Sequence, residues 1–398
     1  MLRRGGKKLD AWRVACAGLG SCIALTATPA RAQEGEGEAP PIEVHGFASQ
    51  GFILTLKNDY LAEDSTEGSF EFAEVGFNFT KELTERLSTG GQLFAQDLGP
   101  TGNFKPQIDW FYLDFRAEDW LGIRAGRVKI PYGLYNEIQD VDSARVPVLL
   151  PQSVYPLQAR DLFFSVTGGE IYGFLRMGGF GALDYHLYGG TFFLDADELT
   201  PPGAGFELAM HVRYVTGGRL FWETPLEGLR VGGSYERVGL DTTALIPGLT
   251  PPLELDSRSA LYVLSAEYLA GDLSLSAEYG RANTRQTSNY PEQQPTIDAT
   301  DERAYVMVSQ RVASWFQPGA YASLFFPDVE NREGRAQRQL DVALTLRFDV
   351  NPFWLVKAEG HFLYGTAGLK KGLSVNPPDI TQAAEYWGAY FLKTTAHF

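Results

Sequence analysis

The stretch LDVALTLRFDVNPFWLVKAEGHFLY, residues 340–364, contains the pattern that decides the fold of this chain. On each side of its Asn-Pro turn, apolar and polar side chains alternate, so an extended strand carries its large apolar side chains on one face. The polar positions that would share the opposite face include Asp341, Arg347, Lys357, Glu359 and His361. Two such strands joined by a tight turn predict one antiparallel hairpin with an apolar face and a charged face.

Short and long connections alternate between strands of this kind along the chain. The tight ones include MGGFG, residues 177–181, and LAGD, residues 269–272. Eight long ones lie near residues 58–68, 98–106, 131–161, 195–205, 242–258, 284–302, 330–338 and 366–385. Each long loop implies one hairpin, which predicts an all-β fold: a closed antiparallel β-barrel of about 16 strands without free sheet edges.

The width of such a barrel decides which face meets water. Alternating strands also occur in soluble sandwiches, so alternation alone leaves that alternative open. A barrel of about 16 strands is too wide for side chains to fill, so its interior is polar and wet while its exterior contacts lipid. The 19 Tyr and 7 Trp, many at the ends of apolar faces, fit aromatic girdles at the membrane interfaces. Residues 42–398 are therefore predicted to form a transmembrane barrel with short periplasmic turns and long extracellular loops.

The N-terminal residues 1–32 have the features of a cleavable signal peptide. A basic start precedes an apolar run at residues 14–27, and an Ala-Arg-Ala cleavage motif ends at residue 32. A lipoprotein signal that ends at Cys22 is the alternative. Residues 33–41 then form a flexible acidic leader. Export together with a barrel predicts the outer membrane of a Gram-negative bacterium.

The charge and the scattered histidines limit the possible functions. Without residues 1–32 the chain has a formal charge of about −20 and no cysteine, which argues against a nucleic-acid partner. None of the five histidines lies in a Gly-x-Ser-x-Gly or His-Glu-x-x-His motif, and His361 follows Glu359 as an ordinary lumen pair would. The chain is therefore predicted to be no enzyme and to need no cofactor or metal. An outer-membrane barrel enzyme is the alternative from a different class.

The chain ends on GAYFLKTTAHF, residues 388–398, which reads as the strand that pairs with the first one to close the barrel. An aromatic-rich last strand ending in Phe resembles the assembly signal of outer-membrane barrels. The resemblance implies that Phe398 is recognised by the barrel-assembly machinery. Strict alternation leaves Trp387 and Phe391 on the polar face, where aromatic side chains are not expected.

The longest connection lies in GRVKIPYGLYNEIQDVDSARVPVLLPQSVYPLQARD, residues 126–161, after the fifth predicted strand. This stretch and NPFWLVKAEGHFLYGTA, residues 351–367, resemble a group of proteobacterial porins related to the phosphate-selective porin O/P family. The resemblance implies that the third long loop, residues 131–161, folds into the lumen and narrows it. General porins of this strand number are commonly trimers, so the analogy also implies a homotrimer within outer-membrane lipid and lipopolysaccharide.

The charges around this loop predict a narrow polar passage. The candidates for the constriction are Glu137, Asp140, Asp142 and Arg145 on the loop and Arg116, Arg127 and Lys129 on the wall. Acids on the loop that face bases on the wall would create a transverse field that orients polar solutes. For any single residue, a solvated side chain or a local ion pair is the alternative interpretation.

Small hydrophilic solutes and ions are the expected partners of such a passage, which they would cross by passive diffusion. The segment 131–161 contains two bases, Arg145 and Arg160, against four acids, which predicts a weak cation preference. Porin O and porin P build anion selectivity from many Lys and Arg residues. A phosphate- or anion-selective channel is therefore the alternative that the resemblance leaves open.

Overall fold

The structure is a computed structural model. It describes residues 41–62, 64–99, 102–160, 164–192, 206–369 and 380–398. The predicted signal peptide, nearly all of the predicted acidic leader and the predicted loop 195–205 lie outside the described residues.

Sixteen strands form one closed barrel in which each strand pairs antiparallel with its neighbours and β1 pairs with β16. The strands are β1 Glu43–Leu56, β2 Ala73–Glu82, β3 Leu87–Asp97, β4 Gln107–Glu118, β5 Leu121–Lys129, β6 Ser165–Arg176, β7 Ala182–Thr191, β8 Glu207–Glu223, β9 Leu229–Leu245, β10 Leu253–Ala270, β11 Leu273–Ser288, β12 Ile297–Gln310, β13 Phe316–Phe326, β14 Gln339–Asn351, β15 Trp354–Gly365 and β16 Tyr386–His397. Short 3-10 helices lie at Asn136–Ile138, Asp142–Ala144, Leu157–Ala159, Gly178–Phe180, Arg335–Gln337 and Ala367–Leu369. Among the described residues, no helix is long and apolar enough to cross a membrane. The predicted all-β antiparallel barrel is confirmed.

The hairpin of β14 and β15 has the predicted alternation of faces and the polarity of a membrane barrel. Leu340 lies opposite Tyr364, and Arg347 lies opposite Lys357. On the apolar face Leu344 is 65% exposed, whereas Lys357 on the other face is 0% exposed. The apolar face therefore points outward and the charged face points into the barrel, the reverse of a soluble sandwich.

The strands β9 to β12 run further than the sequence pattern predicted. The predicted loops 242–258 and 284–302 are in the structure only residues 246–252 and 289–296. Polar residues interrupt the apolar alternation there, and this interruption was wrongly interpreted as the end of the strands. A β-ladder requires only backbone N–H and C=O groups, so strands that continue beyond the apolar band need no apolar face.

The barrel closes through the main chain of the last residue. The N–H of Phe398 donates to the carbonyl of Gly46 (3.0 Å), and the N–H of Gly46 donates to the carbonyl of Phe398 (3.1 Å). The Phe398 ring lies directly over Gly46, because a Cβ at position 46 would lie 2.7 Å from it. The terminal residue is thus part of the seam between the first and last strands.

Deletion of Phe398 is expected to lower the amount of folded barrel in the outer membrane several-fold, because the seam loses two main-chain hydrogen bonds and the ring over Gly46. Heat-modifiable migration of outer-membrane fractions on gels measures the folded fraction. Phe180→Ala, which removes a ring that is 76% exposed in a short turn, is the matched control. Equal folded fractions in the deletion and the control would mean that the terminal aromatic has no role in assembly.

Loops inside the barrel explain the two aromatic residues on the polar face of β16. Tyr60 and Phe72, from the connection between β1 and β2, pack against Trp387 and Phe391 with ring centroids 5.2 and 6.2 Å apart. Both β16 side chains are only 3% exposed. At these two positions the polar face of β16 therefore contacts protein and not water, so an apolar side chain is stable there.

Candidate functional site: a loop across the lumen

The connection between β5 and β6 leaves the wall and enters the barrel. Near its start, the N–H of Gly133 donates to the Ser234 hydroxyl on β9 (3.0 Å). The next N–H, of Leu134, donates to the Glu278 carboxylate on β11 (3.0 Å). These inward-facing side chains of distant strands bind the chain well away from β5.

Further along, the same connection reaches the opposite part of the wall. The N–H groups of Val148 and Leu149 donate to the two oxygens of Glu359 on β15 (2.7 and 2.9 Å). β9 and β11 are separated by one strand, whereas β15 lies four strands beyond β11 around the barrel, so residues 130–160 cross the lumen. We refer to them as the lumen loop.

Local sequence prevents the lumen loop from joining the sheet. Proline lacks the N–H that a ladder requires, and the loop contains Pro131, Pro147, Pro151 and Pro156. Gly133 has a φ of +55°, and a Cβ there would lie 2.3 Å from the Tyr155 hydroxyl. Only glycine combines this backbone conformation with that close approach.

Two apolar clusters hold the lumen loop against the wall. In one cluster Tyr132, Tyr135 and Tyr155 pack with wall residues such as Val263 and Tyr305. The other cluster contains Ile53, Val148, Leu149, Leu363 and Phe391. Burial of these side chains stabilises the crossing position of the loop by the hydrophobic effect.

Asp142 is the most heavily paired carboxylate of the lumen loop. It lies 2.9 Å from the Lys357 ammonium, 3.6 Å from that of Lys393 and 3.3 Å from the Arg145 guanidinium. The Thr395 hydroxyl also donates to it (2.7 Å). Burial alone would raise the pKa of Asp142, but the three cations hold that pKa well below its ordinary value. Asp142 therefore anchors the loop to β15 and β16.

The other two predicted loop acids have separate partners. Asp140 lies 3.1 Å from the Lys129 ammonium and accepts from the Gln92 amide (2.5 Å). Glu137 pairs with Arg219 on β8. Burial opposes ionisation of both carboxyls, but their cationic neighbours keep both pKa values below the ordinary range. The three predicted acids thus lie at three points along the loop, each beside a base.

One predicted wall base lies away from the loop acids. Arg116 is exposed near the short-turn end of β4, where its N–H donates to the Arg86 carbonyl (2.8 Å). Arg127 is half-buried, and its guanidinium donates to the Ser165 hydroxyl at the start of β6 (2.7 Å). The role of Arg127 in the constriction stays a prediction.

Arg145 and Arg347 shape the turn of the loop beside Asp142. The Arg347 guanidinium donates to the carbonyls of Ser143 (2.8 Å) and Arg145 (3.1 Å). The Arg145 guanidinium donates to the carbonyl of Pro147 (2.9 Å). The two side chains therefore satisfy backbone carbonyls that a loop inside a barrel would otherwise leave without partners.

The remaining predicted lumen residues form a chain on the wall. His361 lies between Asp341 and Glu359, with 3.0 Å from its Nδ1 to one carboxylate and 3.0 Å from its Nε2 to the other. Within the described ranges, no three His, Cys, Asp or Glu side chains are grouped so as to hold a metal ion.

Several lumen residues were missed in the sequence. Lys393 lies 2.6 Å from Glu74 on β2, a pair 319 residues apart. Arg124 lies 2.9 Å from Asp114 and 3.2 Å from Glu170. The alternation of β16 does give Lys393 the polar face, but no local signal identifies a partner that barrel closure brings together.

The depressed pKa values predict the pH range over which the lumen loop stays docked. A carboxyl with a lowered folded-state pKa contributes stability above its unfolded pKa of about 4 and loses it as the pH falls below that. We therefore expect the lumen loop to stay docked from about pH 7 to about pH 5 and to loosen only in stronger acid. Hydrogen exchange of the loop amides, measured across this range, would contradict the assignment if their protection were already lost near pH 6.

The chain matches no protein-family model and no curated protein sequence. Its barrel is similar to solved structures, among them OmpF of Salmonella typhi in complex with daunomycin (TM-score 0.56, 12% identity, 90% of this chain and 97% of that chain). Others are OmpT of Vibrio cholerae in its trimer form (0.54, 12%, 91% and 100%) and the anion-selective porin from Comamonas acidovorans (0.52, 14%, 90% and 99%). At such identities the likeness concerns the fold alone. The chain has the 16-stranded fold of outer-membrane porin-like barrels.

Proposed function

We propose that this protein is an outer-membrane channel through which small hydrophilic solutes and ions diffuse passively. One observation carries the proposal: a loop crosses a lumen lined by charged side chains and is fastened to the wall at β5, at β9 and β11, and at β15. A barrel of this strand number encloses more space than its own side chains fill. The crossing loop then sets the width of the aqueous path and the groups that a solute meets. The protein acts as a channel and not as an enzyme, and it needs no cofactor.

The channel has a weak cation preference. The formal charge of the exported chain is about −20. The loop acids are largely balanced by wall bases, so neither positive nor negative charge dominates where the loop crosses the lumen. Lys357 and Lys393 are both 0% exposed and bind Asp142 and Glu74. Lysines engaged in this way are poor phosphate ligands, which argues against the phosphate-selective alternative.

The barrel functions as a homotrimer. A protein of similar fold, OmpT of Vibrio cholerae, has been solved in a trimer form. The outward faces of β2 and β4 carry large exposed apolar side chains, including Phe77 (46%), Phe111 (47%) and Leu113 (50%). Such a face suits contact with lipid or with a second copy of the chain. Chemical cross-linking in native membranes should yield a trimer band, and a monomer alone would contradict this assignment.

The extended strands β8 to β12 suit the headgroup layer of lipopolysaccharide. On their outward faces Arg213 lies 2.8 Å from Asp256, and Arg281 lies 3.0 Å from Glu302. Arg258 also lies 3.0 Å from Asp256. Charged pairs on the outside of a membrane barrel fit a polar layer above the hydrocarbon, where phosphates and divalent cations are available as partners. This orientation puts the long loops outside the cell.

Liposome swelling tests the channel function. Proteoliposomes that contain the folded protein should swell in isosmotic sugar solutions, at rates that fall as the sugar becomes larger, because the lumen loop limits the passage. Liposomes with heat-unfolded protein provide the control. Swelling no faster than in that control for every sugar would refute the proposal.

A further inference from the structure

A cavity of about 260 Å³ lies inside the barrel beside the lumen loop. Its walls come from the lumen loop, from the connection between β1 and β2, and from the inner faces of β12 to β15. A solute that crosses the barrel on this side of the loop passes this space. The volume is in the range of a small solute of sugar size and too small for a folded peptide.

Two hydroxyl groups line this cavity. They belong to Ser323 on β13, which is 9% exposed, and to Tyr60, which is 8% exposed. Each hydroxyl can both donate and accept a hydrogen bond. Both are therefore available to a polar molecule in the cavity.

The charged groups of the same walls are already compensated. Arg303 pairs with Asp301, its neighbour on β12. Asp341 lies 3.0 Å from His361 and accepts from the Tyr321 hydroxyl (3.3 Å). A charged occupant would have to compete with these buried pairs and would lose its own hydration. The cavity therefore favours a neutral molecule.

The rest of the lining combines neutral polar groups with apolar surface. Gln152, Gln158 and Gln339 contribute amide groups, whereas Leu61, Leu363 and the ring of Phe325 contribute C–H and aromatic surface. A sugar presents this combination of features itself, with hydroxyl groups around its edge and C–H groups on its faces. We propose that this cavity is a binding subsite for a small neutral polyhydroxylated solute, which is a sugar of one or two rings.

The subsite rests on the proposed channel function, because it would bind the solute on the way through the lumen. Its consequence is saturation: a sugar that pauses in the cavity obstructs ion flow, so conductance falls with sugar concentration toward a plateau. Passage without a subsite would give only a gradual change that follows solution viscosity.

The probe is D-glucose, added to the folded wild-type protein in planar bilayers. Saturable reduction of conductance is expected in the wild type. In the Tyr60→Phe/Ser323→Ala variant the half-saturating concentration should rise about tenfold, since two hydrogen bonds are lost. Tyr390→Phe, which removes an outward-facing hydroxyl, should behave as the wild type. Heat-modifiable migration verifies that each variant is folded.

A second measurement separates failure of the subsite from failure of the channel. Radiolabelled glucose is equilibrated with the folded protein in detergent, where no conduction is needed. Saturable binding that the double variant weakens confirms the subsite even if no current is observed. Conductance without saturable glucose binding would leave the channel intact and overturn the subsite. Equal glucose binding by the wild type and the double variant would overturn it as well.

Discussion

Asp142→Asn is expected to release the lumen loop from β15 and β16 and to raise single-channel conductance several-fold. The substitution leaves the Lys357 ammonium, which is 0% exposed, without a carboxylate partner, whereas Lys393 keeps Glu74. Removing one partner of a buried ion pair costs about 3–5 kcal/mol, because the remaining charge lacks both partner and water. The loop can relieve this cost by moving away and admitting water. A wider and noisier open channel is the measurable result.

Two further variants make this expectation specific. Asp256→Asn removes a carboxylate with two arginine partners on the outer face and should leave conductance unchanged. Asp142→Leu/Lys357→Met removes both charges of one pair and should restore part of the wild-type conductance, since apolar replacement of a buried pair is often tolerated. Wild-type conductance in Asp142→Asn itself would mean that the apolar contacts alone hold the loop.

Glu137→Gln/Asp140→Asn is expected to shift the reversal potential in a salt gradient toward the anion potential. In the wild type these carboxylates balance Arg219 and Lys129. Their neutralisation leaves two wall cations facing the passage, at short range from a permeating ion where screening is weak. Asp142 remains in place, so the loop should stay docked and conductance should change less than selectivity.

The matched control neutralises two outer-face acids, in Asp241→Asn/Asp298→Asn. Both lie beside arginines on the outward side of the extended strands, at 3.4 Å from Arg213 and 4.0 Å from Arg285. This variant changes the net charge by the same amount as Glu137→Gln/Asp140→Asn. Equal shifts of reversal potential from both variants would mean that total surface charge, and not the crossing loop, governs selectivity.

The alternation of side chains was sufficient to predict the barrel, because strand periodicity is a local property. It predicted which face of the stretch 340–364 is polar, and the structure places that face inside. It failed at the ends of β9 to β12, where strands continue without an apolar face. It also gave no reason for Trp387 and Phe391, since their partners come from a loop more than 300 residues away.

The partners in the candidate site were harder to predict than its members. Glu137, Asp140 and Asp142 do lie inside the barrel, but the bases beside Glu137 and Asp142 come from β8, β15 and β16 as well as from the loop itself. The pairing register of each strand with its neighbour adds to that of the next pair around a closed barrel. Local sequence patterns therefore do not show which distant side chains meet across the lumen.

The conductance of purified, folded wild-type protein in planar bilayers tests the channel assignment most directly. The account predicts discrete, persistent current steps that are roughly ohmic, with a reversal potential in a KCl gradient displaced modestly toward the potassium potential. Folded barrels that insert into the bilayer but give no steps above the lipid baseline would contradict it.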